Sequence, residues 1–248
     1  MEDKKIAIVT GAANGIGKSI ARRLVKDNYF VLAVDIDPAG AEKLSIEFNT
    51  EEATYILTNI CNETEVHTLF SSCISKYHRI DLVVNNAGII RDNLIWNMSV
   101  EEFDTVINVN LKGTWLMCRE AASIMKERKN GRIINIASRA WLGNRGQSNY
   151  SASKAGVVAL TRVLALELGK YNICVNAIAP GLIDTPMTQK LEKAVLQKLI
   201  DAQPSKSMGK PEDVANAVAF LANPETGFIN GQTIYVDGGK SIGANSGF

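Results

Sequence analysis

Short β-branched runs recur along the chain, and a helical pattern of apolar residues follows most of them. The runs predict seven strands, at residues 6–10, 30–35, 54–57, 80–85, 132–137, 174–178 and 233–236. Strands that alternate with helices indicate an α/β fold, a doubly wound parallel sheet with helices on both faces. No linker divides the chain, so we expect one domain over residues 1–248. Ligands of such sheets bind at the carboxyl ends of the strands, where functional residues should therefore lie.

A glycine-rich segment, residues 10–17, follows the first strand and opens a helical pattern that runs to about residue 27. Its three glycines permit, in order, a tight turn, close approach of the backbone to a pyrophosphate, and close packing of helix on strand. The helix N-terminus attracts the anion. The segment predicts dinucleotide binding, and the alternative is a merely structural turn. The residues expected at the dinucleotide are Gly11, Asn14, Gly15, Ile16 and Gly17.

Asp35 ends the second strand, 18 residues after Gly17. A carboxylate at this offset reaches the adenosine ribose hydroxyls and repels a 2′-phosphate. No arginine or lysine stands at position 14 or immediately after Asp35 to bind that phosphate. The pattern therefore favours NAD over NADP as the cofactor. Asp35 could equally cap the turn into Pro38, and one carboxylate can do both.

Tyr150 and Lys154 precede an apolar helical series from Val157 to Leu168, so we expect them one helical turn apart on the same face. A tyrosine with a pKa of about 10 is a poor acid and base near neutral pH. A charge about 4 Å away contributes roughly 4 kcal/mol, so Lys154 is expected to lower the pKa of Tyr150 by up to about 3. Tyr150 would then donate and accept protons. A chance pair on a helix surface is the alternative.

Composition points to small-molecule chemistry. The net charge is +1, with 27 basic and 26 acidic residues. The chain therefore has no excess of positive charge that would attract nucleic acid or an anionic membrane. Neither a secretory leader at residues 1–5 nor an apolar run of about 18 residues is found, so we expect a cytoplasmic protein. Four scattered cysteines and two histidines predict no metal site, and a reducing compartment would keep the thiols free.

Further motifs follow the later strands: Asn85–Gly88 after the fourth, Ser138 after the fifth and Pro180–Gly181 after the sixth. With the glycine segment, the tyrosine–lysine pair and Asn110, they make the chain resemble the short-chain dehydrogenase/reductase family over essentially its whole length. The resemblance implies a Rossmann-type fold and direct hydride transfer between a substrate carbon and a nicotinamide, without a metal.

The resemblance also implies a role for each catalytic candidate. Tyr150 is the general acid/base, Ser138 orients the reacting oxygen, and Lys154 lowers the tyrosine pKa and binds the nicotinamide ribose. Asn110 holds a water that links Lys154 to solvent. The other implied cofactor contacts are Asn59, Ile60, Asn86, Ala87, Gly88, Pro180, Gly181, Ile183 and Thr185. The implied substrate contacts, beside Ser138 and Tyr150, are Ala140, Trp141, Leu142 and Met187.

Two departures from the family pattern bear on the site. Asn59 stands where the family usually has an aspartate that faces the adenine amino group, so we expect weaker rather than lost binding. The spacing from Ser138 to Tyr150 is one residue shorter than in many members, which alters the pocket wall at residues 139–148. Residues 186–204, with a helical pattern at 188–202, should form a mobile lid over the substrate, or else a plain surface helix.

Residues 85–94 and 228–239 resemble the 3-oxoacyl carrier-protein reductases, which usually take NADPH, and Asp35 argues against that cofactor. We therefore expect an NAD(H)-dependent enzyme that interconverts a secondary alcohol, or a 3-hydroxyacyl thioester, and its ketone. The alternatives are an NADPH-dependent 3-oxoacyl carrier-protein reductase of fatty acid synthesis and a non-catalytic dinucleotide-sensing protein. Trp141 and Leu142 suit an apolar or ring-bearing substrate, or Trp141 simply packs its loop.

The stretch 155–168 is apolar almost all round, as in a helix that is covered on more than one side. We expect one side to meet the sheet and another a partner subunit, giving a homodimer or homotetramer, as the family resemblance implies. Burial within a single subunit is the alternative.

Overall fold

A seven-stranded parallel sheet forms the centre of the computed structural model, which describes residues 4–242. The strands are β1 Lys5–Thr10, β2 Tyr29–Asp35, β3 Ala53–Leu57, β4 Leu82–Asn85, β5 Gly131–Ile136, β6 Ile173–Pro180 and β7 Thr233–Val236. Their order is β3-β2-β1-β4-β5-β6-β7. Each predicted strand is confirmed within two residues at either end. The ends of the expected domain, residues 1–3 and 243–248, lie outside the described range.

Helices cover both faces of the sheet, as the alternating pattern predicts. They are α1 Gly15–Lys26, α2 Gly40–Glu47, α3 Glu63–Tyr77, α4 Val100–Ile107, α5 Thr114–Arg128, α6 Ser148–Leu168, α7 Lys193–Asp201 and α8 Pro211–Ala222. The strand order reverses at β1, since β2 pairs with one edge of β1 and β4 with the other. This reversal opens a crevice at the carboxyl ends of β1 and β4, where doubly wound sheets bind their ligands.

Side chains alternate along a strand, so the two faces of β1 contribute residues to two separate apolar cores. Ile6 and Ile8 pack with α3, α5 and α6 on one face. Ala7 and Val9 pack with α1 and α8 on the other face. Burial of β1 on both faces explains its unbroken apolar sequence and makes the strand a rigid support for the glycine segment that follows it.

The predicted lid consists of a 3-10 turn, Thr188–Lys190, followed by α7. No residue of α7, which lies wholly within the described range, is buried. Its apolar side chains Val195 and Leu199 are 43% and 38% exposed. Throughout residues 4–242, no helix is both long and apolar enough to cross a bilayer.

Candidate active site

The glycine segment forms a tight turn between β1 and α1. Gly11 and Gly15 have φ angles of +65° and +54°, a left-handed conformation that favours glycine. A Cβ on Gly17 would lie 2.1 Å from the Gly11 carbonyl oxygen, so helix and turn touch backbone to backbone. Among the described residues, no side chain caps the α1 N-terminus, and its first turn carries no acid. The uncapped N–H groups at that end therefore suit the pyrophosphate of a dinucleotide.

The segment after β4 braces the glycine turn. The Thr10 hydroxyl accepts the N–H groups of Asn86 and Ala87, both at 3.0 Å. Asn86 Nδ2 in turn donates to the Thr10 carbonyl at 2.9 Å and to the Gly11 carbonyl at 3.2 Å. Asn86 therefore ties the loop after β4 to the glycine turn.

Asn85 instead points into a buried polar chain that the sequence did not predict. Its Nδ2 donates to Asn135 Oδ1 at 2.8 Å, and Asn135 Nδ2 donates to the Thr161 hydroxyl at 2.9 Å. Asn135 and Thr161 are both fully buried. The register of β4 with β5 and the packing of α6 on β5 bring these three residues together.

Asp35 lies against the glycine turn. Its Oδ2 accepts the Ala13 N–H at 2.9 Å, and its Oδ1 accepts the N–H groups of Ile36 and Asp37 at 2.8 and 3.2 Å. The capping role of Asp35 is observed, whereas its recognition of the adenosine ribose stays a prediction. The hydrogen bonds fix the direction of the carboxylate, so a group that binds beside the turn meets a preoriented negative charge.

The segment after β3 holds the residues expected near the adenine. Asn59 is half-buried, and its Oδ1 accepts the Cys61 N–H at 3.0 Å, which uses one lone pair of the amide oxygen. Ile60 is 8% exposed and packs into the core, so only its backbone is open to a ligand. The adenine contact of Asn59 and the cofactor contact of Ile60 stay predictions.

The loop that carries the implied cofactor contacts Gly181, Ile183 and Thr185 crosses towards the glycine turn after Pro180 ends β6. The Gly181 N–H bonds the Val236 carbonyl at 2.9 Å, which anchors the loop to β7. Thr185 and Pro186 then lie 3.7 Å from the Cβ position of Gly15. The loop therefore lies beside the turn that is suited to pyrophosphate.

Further along this loop, Ile183 is buried, and its carbonyl accepts the Thr188 hydroxyl at 2.9 Å. The Thr185 hydroxyl lies 3.4 Å from the Thr188 hydroxyl. Met187 is 50% exposed. The loop is thus internally braced by Thr188, which sequence reasoning missed, while the expected ligand contacts of Ile183, Thr185 and Met187 stay predictions.

Tyr150 and Lys154 lie in the first two turns of α6, and the predicted pairing of their side chains on one face is observed. The Lys154 ammonium is buried, donates to the Ile136 carbonyl at 2.8 Å and lies 5.7 Å from the centroid of the Tyr150 ring. Ser138 follows β5, and its hydroxyl accepts the Ala140 N–H at 3.1 Å. The Ser138 hydroxyl lies close enough to the Tyr150 phenol to lower the phenol's pKa, so the three side chains form one cluster.

The expectation that Lys154 lowers the pKa of Tyr150 is wrong for this structure. Burial raises the pKa of Tyr150, a hydrogen bond from Ser138 lowers it, and the negative charge of Asp92 raises it. Lys154 fails to reverse the effect because its ammonium contacts the Ile136 carbonyl and is itself desolvated. Burial lowers the pKa of Lys154 to about 8.

Asn110 lies in a single π-helical turn, Asn108–Gly113, which joins α4 to α5. Its Oδ1 accepts the Ile89 N–H at 2.8 Å, and its Nδ2 donates to the Ile89 carbonyl at 3.0 Å and to the Ser153 hydroxyl at 3.1 Å. Its carbonyl accepts the Thr114 hydroxyl at 2.8 Å. Asn110 thus ties the loop after β4 to α6.

Gly88 lies between Asn110 and the lysine. A Cβ on Gly88 would be 3.2 Å from Asn110 Oδ1 and 3.5 Å from Lys154 Nζ. Glycine keeps this narrow space open in front of the ammonium. The predicted water link through Asn110 stays a prediction.

The pocket wall begins with a 3-10 turn, Arg139–Leu142. Ala140 is buried, Leu142 is 48% exposed, and Trp141 packs on the small apolar cluster that includes Val157 and Val158. In the described part of the chain, the buried Trp141 Nε1 has no hydrogen-bond partner. Trp141 therefore supports the wall by packing, while Leu142 is open to a ligand.

Comparison with known proteins identifies this arrangement. A family model described as "Enoyl-(Acyl carrier protein) reductase" matches residues 11–241. The chain belongs to the short-chain dehydrogenase/reductase family. It is 43% identical over 240 residues to (2S)-[(R)-hydroxy(phenyl)methyl]succinyl-CoA dehydrogenase subunit BbsD of Thauera aromatica, covering 96% of this chain and 97% of the relative.

Two further relatives agree with the family. The chain is 41% identical to the 3-oxoacyl-[acyl-carrier-protein] reductase FabG of Thermotoga maritima, over 96% of this chain and 98% of the relative. The crystal structure of levodione reductase superposes with a TM-score of 0.92 at 32% identity, covering 96% of this chain and 98% of the other. As a short-chain dehydrogenase/reductase, the chain is an oxidoreductase that acts on CH–OH groups and uses a nicotinamide dinucleotide.

The expected site residues converge at the carboxyl ends of the strands, where a member of this family is expected to bind its ligands. The glycine turn follows β1, Asp35 ends β2, Gly88 follows β4 and Ser138 follows β5. Among residues 4–242, no group of three or more His, Cys, Asp or Glu side chains is placed to hold a metal ion. The side chains that the structure brings together at this edge are the Ser138 hydroxyl, the Tyr150 phenol and the Lys154 ammonium.

Proposed function

We propose that this chain is an NAD(H)-dependent dehydrogenase that oxidises a secondary alcohol, or the hydroxyl of a 3-hydroxyacyl thioester, to the ketone. The position of Asp35 carries the choice of cofactor. Its carboxylate is oriented by the Ala13 N–H at 2.9 Å, on the glycine turn. A 2′-phosphate placed beside the turn would meet this charge with no basic residue at position 14 or directly after Asp35.

Tyr150 takes the hydroxyl proton of the substrate during oxidation and returns it during reduction. Ser138 orients the reacting oxygen through its hydroxyl, which lies beside the Tyr150 phenol. Lys154 places a positive charge behind the phenol, and the N–H groups of the α1 N-terminus bind the pyrophosphate. The dinucleotide, when bound, supplies the hydride acceptor. Since burial raises the pKa of Tyr150, oxidation should accelerate with rising pH.

The names of relatives and the pocket wall support an acyl thioester as the substrate. The BbsD name describes a benzylic secondary alcohol carried on a coenzyme A thioester. Here the wall at residues 139–148 carries Arg139 and Arg145 and no acid, which suits an anionic acyl thioester. The exposed Leu142 offers an apolar surface for a ring or acyl chain.

An NADPH-dependent 3-oxoacyl carrier-protein reductase is the second candidate, favoured by reductases of that name at 40–43% identity. Acidic carrier proteins would need basic residues near the pocket mouth. Lys129 is exposed and could serve, whereas Tyr171 occupies a position before β6 that is often basic in that group. The two candidates therefore differ first in the dinucleotide they bind.

We also propose that the protein is cytoplasmic and forms a homodimer or homotetramer. Val157, Val158 and Leu168 of α6 are buried against the subunit, whereas Val163 and Leu166 are 49% and 85% exposed. Contiguous exposed apolar side chains on a helix suit burial by a second copy. A monomeric mass in solution at micromolar concentration would contradict the oligomer.

The deciding experiment compares the binding of NADH and NADPH to the purified protein by fluorescence. We expect NADH to bind at least tenfold more tightly, about 1.4 kcal/mol. The Asp35→Asn variant should lose this preference. Asp37→Asn is the matched control, since Asp37 pairs with Lys43 at 3.2 Å. Tighter binding of NADPH to the wild type would refute the proposal and favour the carrier-protein reductase.

A further inference from the structure

Two buried side chains of α6 hold the polar groups of the Tyr150 backbone. The Ser153 hydroxyl donates to the Tyr150 carbonyl at 2.7 Å, and Asn149 Oδ1 accepts the Tyr150 N–H at 2.7 Å. Ser153 and Asn149 are both fully buried. Neither residue has a role in the mechanism described above, which leaves this buried polar arrangement to be explained.

Ser153 extends its contact to the loop after β4. Its hydroxyl accepts Asn110 Nδ2 at 3.1 Å. The Asn110 amide in turn accepts the Ile89 N–H at 2.8 Å and donates to the Ile89 carbonyl at 3.0 Å. An unbroken chain of hydrogen bonds therefore joins Ile89 to the Tyr150 carbonyl, and Ser153 is its link to α6.

This chain of hydrogen bonds connects the two sides of the candidate site. Ile89 directly follows the implied cofactor contact Gly88, and a Cβ on Gly88 would lie 3.5 Å from Lys154 Nζ. One end of the chain therefore lies where the dinucleotide is expected, and the other end lies at the residue that moves the proton. A displacement of about 1 Å between reacting groups can lower a rate by about 10²-fold, so the separation of the two sides matters for turnover.

A neighbouring serine of α6 makes none of these contacts. In the described part of the chain, the buried Ser151 Oγ has no hydrogen-bond partner. Serine has a lower helix propensity than alanine, and a hydroxyl that bonds an earlier carbonyl of its own helix competes with the helix. The Ser153 hydroxyl is therefore better explained by its contact with Asn110 than by the stability of α6.

We propose that Ser153 is a positioning residue: its hydroxyl ties the Asn110 amide to the Tyr150 carbonyl and so keeps the loop after β4 at a fixed position relative to the phenol. This role rests on the proposed part of Tyr150 in catalysis but does not depend on which dinucleotide binds. A second tie, from Asn149 Nδ2 to the Arg91 carbonyl at 2.8 Å, limits the displacement when Ser153 is replaced.

The first test measures the link itself, without any ligand. Ser153→Ala removes the linking hydroxyl, and Ser151→Ala is the matched control, because it removes a buried hydroxyl that binds no described group. Hydrogen exchange of the backbone amides in segment 88–93 is followed by mass spectrometry. Ser153→Ala should accelerate this exchange about threefold or more, since opening of the loop is no longer opposed from α6. Ser151→Ala should leave it unchanged.

An exchange rate of segment 88–93 in Ser153→Ala that equals the wild-type rate would overturn the proposal. Acceleration that is confined to α6 itself would also overturn it, because the hydroxyl would then serve only its own helix. Neither result depends on the substrate or on the NADH-binding experiment.

The second test measures the reduction of acetoacetyl-coenzyme A, a 3-oxoacyl thioester, with NADH and in parallel with NADPH. In Ser153→Ala we expect kcat per dinucleotide-binding site to fall about tenfold, because the loop and the phenol are less well aligned. The Kd of the dinucleotide should change by less than about twofold, since the glycine turn is untouched. Ser151→Ala should keep the wild-type values.

A merely structural defect would give a different result. It would reduce the number of dinucleotide-binding sites and leave kcat per site unchanged, which would overturn the positioning role. An equal fall of kcat in Ser151→Ala would do the same. A wild type that reduces this thioester with neither dinucleotide would contradict the acyl-thioester substrate, and the exchange experiment would still decide whether Ser153 links the loop to α6.

Discussion

Replacing Lys154 by methionine should make the protein more stable at neutral pH and inactive. The pKa of Lys154 is about 8, compared with an ordinary lysine pKa of 10.5. This difference of about 2.5, at about 1.4 kcal/mol for each pKa unit, means that protonated Lys154 costs the native state about 3 kcal/mol. Methionine fills a similar volume but leaves the Ile136 carbonyl without its donor, which costs about 1–2 kcal/mol. The expected net gain at pH 7 is therefore about 1–2 kcal/mol.

The pH dependence separates this cause from better packing. Between pH 8 and 10.5 the unfolded chain binds more protons than the native protein at this position, so wild-type stability rises with pH through that window. The Lys154→Met variant lacks this rise, and its advantage should shrink by about 2 kcal/mol between pH 7 and pH 9.5. The assay is urea unfolding of the ligand-free proteins at both pH values, with Lys26→Met, at an exposed position on α1, as the control. Parallel pH profiles for the wild type and Lys154→Met would refute the reasoning.

Two further substitutions test the site and the dinucleotide turn. Tyr150→Phe should reduce turnover by about 10²- to 10⁴-fold while NADH binding is retained, because only the proton-transferring hydroxyl is removed; a dinucleotide-sensing protein would lose nothing. Gly17→Ala should weaken NADH binding and lower the free energy of unfolding by about 1–3 kcal/mol, since the new Cβ would lie 2.1 Å from the Gly11 carbonyl oxygen. Gly169→Ala, where the nearest atom is 3.4 Å away, should change stability by less than about 1 kcal/mol. Thermal melts that rank these two glycine variants in the opposite order would contradict the packing argument.

The fold could be predicted because its signals are local. The β-branched run at Ile6–Val9 indicates a strand that is buried on both faces, and the turn before Gly17 needs glycines at fixed offsets. The apolar series after Lys154 places the tyrosine–lysine pair at the start of a helix. Each inference depends on neighbours within about one or two turns of chain, which the sequence shows directly.

The electrostatics of the site could not be predicted, because they depend on burial and on distant partners. Spacing brings Lys154 near Tyr150 but does not show that both are desolvated, which reverses the expected direction of the tyrosine pKa. Asp92 acts on Tyr150 from 58 positions away in the chain. The π-helical turn at Asn110 is likewise invisible, because its sequence is also compatible with an α-helix.

The buried amides of β4 and β5 fix the register of these two strands, and with it the relative position of the loops that follow them. Asn85 and Asn135 are direct register partners and bond each other side chain to side chain at 2.8 Å. A slip of one residue between these strands would turn one amide to the opposite face and leave the other unpaired, at a cost of about 1–3 kcal/mol for each buried group. Gly88 and Ser138 each lie three residues beyond these amides. The amide pair thus fixes the alignment of the two loops that carry Gly88 and Ser138 relative to each other.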